Sequence, residues 1–518
     1  MDTNYYQDWL VRKPVARGGG GVVASHSKAA AEAGAAVLRD GGNAIDAAVA
    51  TSFAVSVVEP WMSGIGGVSF MMVYLAEENR VRCFNGGGIA PAAIDPADFP
   101  LVEGTGGDIF TWLAVKDDRN VRGYDSIAIP GHVDNIGKAW ERYGMMGWAD
   151  LLGPAVELAG RGLPVNWMTT IRIASAMKDI RDYAESKRIY LPDGAVPVPD
   201  IGKPVPHLPM GNLQATLKRL SEAGYRDLYD GDIAGQIAAD VEAGGGSLRI
   251  DDLAGYEALE VDAISRTYGG AQVHAAPGMT AGPTMMHVLD QIEGQIGKGV
   301  PGPEAYAAYA KALAVAMEAR FRDMGDVDDS KDPACTTHLT VIDGKGNMVS
   351  LTQTLLSVFG SKVVLPTSGV MMNNGMLWFD PVPGRPNSMA PGKRPLSNMC
   401  PVLVSKEDQP WFALGASGGR RIMPAVMQIV SMMIDGGMDL EDAFHQPRID
   451  VSGDGRATMD PRLGGAVAEA IEAHMPVFEE QRTVFPTAYA NPNGVCKEGD
   501  DFAGIGEIMN PVGGAVAG

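Results

Sequence analysis

Residues 336–354 restrict the fold more than any other stretch of the chain. Thr336 to Asp343 alternates in hydropathy, Gly344 to Asn347 supplies a turn, and Met348 to Thr354 returns as a second alternating run, which predicts a β-hairpin. A hairpin cannot bury its own faces, so other elements must cover it. Val68 to Tyr74 and Val81 to Asn85 read as further strands. Trp411 to Ala416 reads as another, running through Gly418 and Gly419 into a helix from Ile422 to Ile434. Helical periodicity marks Ser27 to Arg39, with Ser27 as N-cap and Gly41 as stop. It also marks an Ala-rich helix capped by Asn43, then Asn135 to Tyr143 and Trp148 to Leu158. The section from 165 to 310 is predicted to be mainly helical with Pro-rich connectors such as Pro197 to Pro209. A helix from Pro303 to Met324 leads into the acidic stretch Asp326 to Asp332, read as a solvated linker. Helices alternating with strands favour a layered α/β architecture. No internal repeat is present.

Composition narrows the function. The 518 residues carry a formal charge of −21, a field that repels nucleic acid and anionic membranes, so neither is an expected partner. With 46% hydrophobic residues the chain has the material for a large core, which excludes disorder as its main state. The 66 glycines fall in short clusters without a three-residue period. Met1 to Arg17 has no apolar core, so it does not read as a secretory signal, and a cytoplasmic location is the expectation. The longest apolar run, between Asp46 and Glu59, suits a buried helix better than a bilayer. Cys83, Cys335, Cys400 and Cys496 are dispersed, and the histidines do not pair at metal spacings, so neither a metal site nor a disulfide framework is expected. The glycine clusters match no nucleotide-binding motif, and no cofactor is expected.

Two constellations carry chemistry. At Cys335-Thr336-Thr337-His338 a charged linker meets a strand that begins with two threonines. A threonine whose own nitrogen became a free amine would hold nucleophile and base in one residue, provided that the chain is cut after Cys335. The plain alternative is a β-branched strand start. The second is Gly415 to Gly419 between a strand and a helix, where Gly418 and Gly419 can aim N–H groups at a developing oxyanion. The same residues satisfy G-x-S-x-G, so a serine hydrolase built on Ser417 with His445 or His474 and Asp435 is a competing reading.

Several ordered motifs together resemble the γ-glutamyltranspeptidase family of N-terminal nucleophile hydrolases. They run from Glu32-Ala33-Gly34 and Gly41 to Ala48, through Val58-Glu59-Pro60, Ser63 to Gly67, Ala90-Pro91-Ala92 and Pro130-Gly131. Beyond these lie Thr336-Thr337-His338, Asp343 to Asn347, Ser350 to Thr354, Asn373-Asn374, Lys393 to Ser397 and Gly418-Gly419. The resemblance implies a four-layer αββα sandwich made as one precursor and cut at Cys335/Thr336. Segments 1–335 and 336–518 would then assemble as two subunits of one interlocked domain; how many such heterodimers associate, a dimer included, is left open. It further implies that Thr336 is the nucleophile, that Thr354 hydrogen-bonds it, and that Gly418 and Gly419 form the oxyanion hole. The substrate is a small-molecule amide, and the acyl-enzyme is resolved by water or an amine.

The departures from the family pattern concern the acyl pocket. Gly87 stands where an arginine holds the α-carboxylate of γ-glutamyl substrates. Leu356, Gly375 and Trp378 follow Thr354 and Asn373-Asn374 where polar residues grip the α-ammonium, and Ser397 is followed by Asn398 in place of a second serine. An unpaired buried ammonium costs roughly 3 kcal/mol or more. The expectation is therefore a kept catalytic frame around a less zwitterionic acyl group, with Leu356, Trp378 and Phe379 as apolar walls and Arg420 as a replacement charge. A genuine glutathione hydrolase is the alternative, and an unprocessed binding protein of this fold is another. Asp380 to Lys393 is too short for the lid of some relatives, which favours water as acceptor.

Overall fold

The computed structural model describes residues 9, 11–105, 113–324, 335–453, 455–485 and 488–518. The predicted hairpin forms as Cys335–Asp343 and Met348–Leu356 and lies at the centre of a seven-stranded sheet. Its order is Gly514–Ala517, Gly21–Ser25, Cys335–Asp343, Met348–Leu356, Val68–Leu75, Arg80–Gly86 and Leu259–Asp262, antiparallel throughout. A second antiparallel sheet of seven runs Ala16–Gly18, Asp501–Gly506, Asn491–Glu498, Gln409–Ser417, Val402–Lys406, Ala271–Ala275 and Ile264–Tyr268.

Strand alternation sorts the apolar side chains into layers. Val22, Ala24, Met72, Ile342 and Met348 of the first sheet meet Leu403, Ala413, Val495 and Phe502 of the second in a core between the sheets. The alternate residues Val23, Met71, Val73, Leu339, Val341 and Leu351 face the helices Lys28–Arg39 and Ala44–Val58. On the far side, Val402, Val404, Phe412 and Leu414 face Gly282–Ile292, Pro303–Met324 and Ile422–Ile434. The result is the four-layer αββα sandwich. Both seven-stranded sheets interleave strands from before and after residue 335, so neither portion can form either of them alone.

The Ala-rich helix is buried along its whole length, and Asn43 caps it in a reciprocal box with Asp46. One expectation is corrected. Ser27 occupies the N-cap position of the first helix, but its side chain makes no capping bond. The section 165–310 is mainly helical, as expected, but it also holds Leu259–Asp262, an edge strand of the first sheet, and Ile264–Tyr268 and Ala271–Ala275, the edge strand of the second sheet and its neighbour. The two edge strands are short and carry charged and polar residues on exposed positions, so their hydropathy signal is weak. The acidic stretch Asp326 to Asp332 lies outside the described residues. Among those described, no helix is long and apolar enough to cross a membrane.

The two sheets approach closely where Gly415 faces His338, and any Cβ at 415 would collide with the His338 ring. Gly415→Ala should therefore destabilise the protein by about 3 kcal/mol through overpacking. Gly153, with open space around it inside the helix Trp148–Arg161, should gain about 0.5–1 kcal/mol as alanine. Urea denaturation of both variants measures the contrast.

Candidate active site

The hairpin ladder slips at its open end. Cys335 pairs with Leu356 but Thr337 pairs with Gln353, so Thr336 stands opposite two residues, Thr354 and Leu355. Such a bulge re-aims side chains at the end of a sheet. Here it brings Thr336 Oγ1 to 3.5 Å from Thr354 Oγ1, which also accepts the Leu356 N–H at 2.8 Å. Leu356 is held at φ +84°, a left-handed conformation that costs a branched side chain about 1–3 kcal/mol. Burial of that side chain offsets the strain. Thr354 is itself pressed from behind by Gly67, where a Cβ would lie 2.5 Å from the Thr354 carbonyl oxygen. Gly66 and Gly67 are thus required by close approach of backbones, since neither has positive φ.

Alternation sends Thr336 and Thr337 to opposite faces. Thr337 points toward the helices and donates to Glu59 Oε2 at 3.0 Å. His338 returns to the inter-sheet side, where its Nδ1 meets Thr352 Oγ1 at 2.9 Å; burial keeps its pKa well below the ordinary value, so the ring stays neutral. Its role is to fill the hollow left by Gly415.

That contact also places Gly418 and Gly419. Ser417 pairs with Asn491, whose carbonyl meets His26 Nε2 at 2.8 Å, and His26 follows the strand in which Ser25 pairs with Leu339. The strand Gln409–Ser417 therefore ends at the Thr336 end of the sandwich. Gly418 (φ +135°) and Gly419 (φ +59°) both adopt glycine-favoured geometry, and their N–H groups take no part in the backbone hydrogen bonds among the described residues. N–H groups presented at a strand-to-helix turn are what oxyanion stabilisation requires. The Ser417 reading does not assemble. Its buried Oγ has no hydrogen-bond partner among the described residues, His445 bonds Lys13 N and the Glu441 carbonyl, and Asp435 bonds Tyr268 and Ser431.

The side chains expected to bind the acyl group divide. Leu356 and Trp378 lie in one buried apolar cluster with Val68, Phe70, Leu377 and Met399. Gly87 borders it: a Cβ there would be 3.3 Å from Phe70 Cζ and 3.1 Å from Asn85 Oδ1, while its carbonyl accepts from Arg394 Nη1 (2.7 Å) and Tyr256 (2.8 Å). Phe379 is corrected: it turns into a separate cluster with Ala90, Ile94, Phe99 and Met389. The Asn374 side chain is engaged by the Val121 carbonyl and Ser357, and Gly375 is packed against Ala128 with no room for a Cβ. Both therefore shape the turn that delivers Trp378.

Arg320 is a residue that motif reading overlooks. Buried at 3% exposure, it donates to the carbonyls of Thr280 (2.8 Å) and Ser397 (2.7 Å) and to Asn398 Oδ1 (3.2 Å). Burial lowers its pKa to about 10, with a further push from neighbouring Arg420. A cationic patch thus backs Ser397 and Asn398, and the Asn398 Nδ2 is buried without a partner. The available signal was periodicity: Arg320 follows Tyr306, Tyr309, Leu313 and Met317 on the buried stripe of its helix.

Glu59 also went without a role. Burial pushes its pKa up to about 7, against which the Thr337 hydrogen bond and the Arg172 charge act. Arg172 and His26 face it from one side, Arg161 and His207 from the other. A carboxyl with a raised folded-state pKa favours folding when protonated, and that contribution is lost as pH rises from about 4.5 toward and through about 7. Glu59→Gln should therefore show a shallower fall in stability between pH 5 and 8 than the native chain, by about 2–3 kcal/mol over that range. Urea melts at several pH values measure it.

The family model for gamma-glutamyltranspeptidase matches residues 30–335 and 327–504. The chain is 32% identical to the Acylase ACY 1 proenzyme of Pseudomonas sp. (strain SE83), over 90% of this chain and 88% of that protein. It is 30% identical to the glutathione hydrolase proenzyme of Bacillus subtilis (strain 168), over 84% of this chain and 81% of that one. The fold matches that of a cephalosporin acylase from Bacillus halodurans with a TM-score of 0.86 at 24% identity, covering 100% of this chain and 99% of that chain. The chain belongs to the gamma-glutamyltranspeptidase family and is an enzyme of the N-terminal nucleophile hydrolase class.

Proposed function

We propose that the chain is a precursor that cuts itself between Cys335 and Thr336 and then hydrolyses a small-molecule amide with an apolar acyl stem. The observation that carries the reading is the bulge that sets Thr336 Oγ1 beside Thr354 at the edge of the Leu356–Trp378 cluster. In the cut, Thr336 Oγ1 attacks the Cys335 carbonyl carbon and the peptide C–N bond breaks, giving an ester and a free Thr336 amine. Water then hydrolyses the ester, leaving a Cys335 carboxylate. Two of the relatives are named proenzymes, which supports this order of events.

In the mature enzyme the Thr336 amine takes the hydroxyl proton, Oγ1 attacks the substrate carbonyl, and Gly418 and Gly419 N–H groups receive the oxyanion. The leaving amine carries the proton away, and water, activated by the same amine, releases the acid. The acyl stem lies on Phe70, Leu356, Trp378 and Met399. A carboxylate at its far end would meet Arg420 and the Asn398 amide. The −21 charge supports a soluble, cytoplasmic setting, and residues 1–335 and 336–518 stay interlocked through their shared sheets.

Intact-mass spectrometry tests the cut. Two species whose smaller member begins at Thr336 are expected. A single species, or a smaller fragment starting elsewhere, overturns the assignment.

A further inference from the structure

On the helix side of the nucleophile strand, opposite the face that carries Thr336, a cavity of about 330 Å³ opens beside Glu59. Trp61, Met168 and Pro164 give it apolar walls, and Arg161 lies at its margin. A smaller hollow, also lined by Glu59, Trp61 and Met168, holds Arg172. Glu59 is 4% exposed and takes one hydrogen bond, from Thr337 Oγ1. Burial raises its pKa to about 7, outweighing the Thr337 hydrogen bond and the Arg172 charge, which act the other way. Arg172 is half-buried over the Phe485 ring at 5.7 Å, and its Nε is buried with no hydrogen-bond partner among the described residues. The space therefore presents an under-solvated carboxyl and an under-bonded guanidinium on one lining. A lone cation would meet Glu59 but oppose Arg161 and Arg172, and a lone anion would do the reverse. A ligand with both charges satisfies the lining.

We propose that the hollows meeting at Glu59 form a second small-molecule site, for a free α-amino acid or a similar small zwitterion, with its ammonium on Glu59 and its carboxylate on Arg172. The side chain of the ligand would lie along Trp61 and Met168. Occupancy would keep Glu59 ionised and so fix the Thr337 hydroxyl as its donor, one residue from Thr336. The site needs no particular identity for the catalytic nucleophile, so its failure and the failure of the proposed function are separate results.

Titration calorimetry with L-leucine, isopentylamine and 4-methylpentanoate compares the zwitterion with each half on a similar carbon skeleton. Saturable binding of leucine is expected, with each half weaker by about tenfold or more, the loss of one charge-assisted contact. Glu59→Gln and Arg172→Met should each abolish it. Arg172→Met carries the test if Glu59→Gln does not fold, because the guanidinium bonds no other described side chain. No saturable heat with leucine up to about 50 mM, a millimolar-scale limit, overturns the proposal. So does leucine binding that survives Arg172→Met, or halves that bind as well as the whole.

Discussion

Thr336→Ala should leave the protein as one species of 54.5 kDa without amide hydrolysis, where the native chain is expected to yield two species of about 35 and 19 kDa, in proportion to its 335- and 183-residue portions. On the proposed mechanism one hydroxyl is required twice. It would attack the Cys335 carbonyl in the precursor and the substrate carbonyl in the product, so its removal should stop both steps rather than slow one. A loss of at least about 10⁴-fold in kcat/KM is the scale for deleting a nucleophile that has no substitute. Thr354→Ala is predicted to be milder. It removes the oxygen 3.5 Å from Thr336 Oγ1 that also accepts the Leu356 N–H, so a slowing of about 10- to 100-fold, equivalent to roughly 1.4–3 kcal/mol, is expected for processing and turnover alike. Gel electrophoresis and rate measurements on the same preparations separate the two variants. A Thr336→Ala chain that still divides, or that still hydrolyses an amide, sinks the assignment. Labelling of Ser417 by a fluorophosphonate would do so from the other direction.

The central hairpin was legible because both its strands are buried on two faces and still alternate in side-chain type, with a four-residue turn of Gly, Lys, Gly and Asn between them. The Ala-rich helix was legible for a related reason: an asparagine cap, an acid three residues on, and no charge until Glu59. The edge strands Leu259–Asp262 and Ile264–Tyr268 were not, because an edge carries exposed charges that erase the apolar alternation. Within the site, Thr336, Thr354 and the Gly418-Gly419 pair stood out by sequence, while their relation did not. A bulge leaves no mark in hydropathy, and it is the bulge that sets Thr336 against Thr354. Phe379 was assigned to the acyl pocket by adjacency to Trp378, yet consecutive residues leaving a 3₁₀ turn point different ways. Arg320 and Glu59 were hidden because a buried charge shows its meaning only with its partners, Ser397 and Asn398 for one and Thr337 for the other.

γ-Glutamyl-p-nitroanilide should be hydrolysed about 100-fold more slowly in kcat/KM than glutaryl-p-nitroanilide, which differs only by lacking the α-ammonium; the factor corresponds to roughly 3 kcal/mol for an ammonium buried unpaired. Leu356, Trp378, Phe70 and Met399 give the acyl stem a wall without acceptors. The Asn374 side chain, the nearest amide in sequence, is already engaged by Val121 and Ser357. At Gly87 no side chain reaches toward an α-carboxylate, and the nearby Arg394 donates to the Gly87 and Glu257 carbonyls. On the proposed binding mode the carboxylate of the glutaryl group would meet Arg420, so Arg420→Gln should bring glutaryl turnover down toward that of valeryl-p-nitroanilide, which has no carboxylate. Trp378→Asp places an acceptor where the indole stands and should narrow the γ-glutamyl deficit by about tenfold, the worth of one charge-assisted hydrogen bond partly offset by lost packing. If the native enzyme instead turns over the γ-glutamyl anilide as fast as the glutaryl one, the ammonium finds an acceptor in the pocket, and Gly87, Leu356 and Trp378 do not set the choice of acyl group.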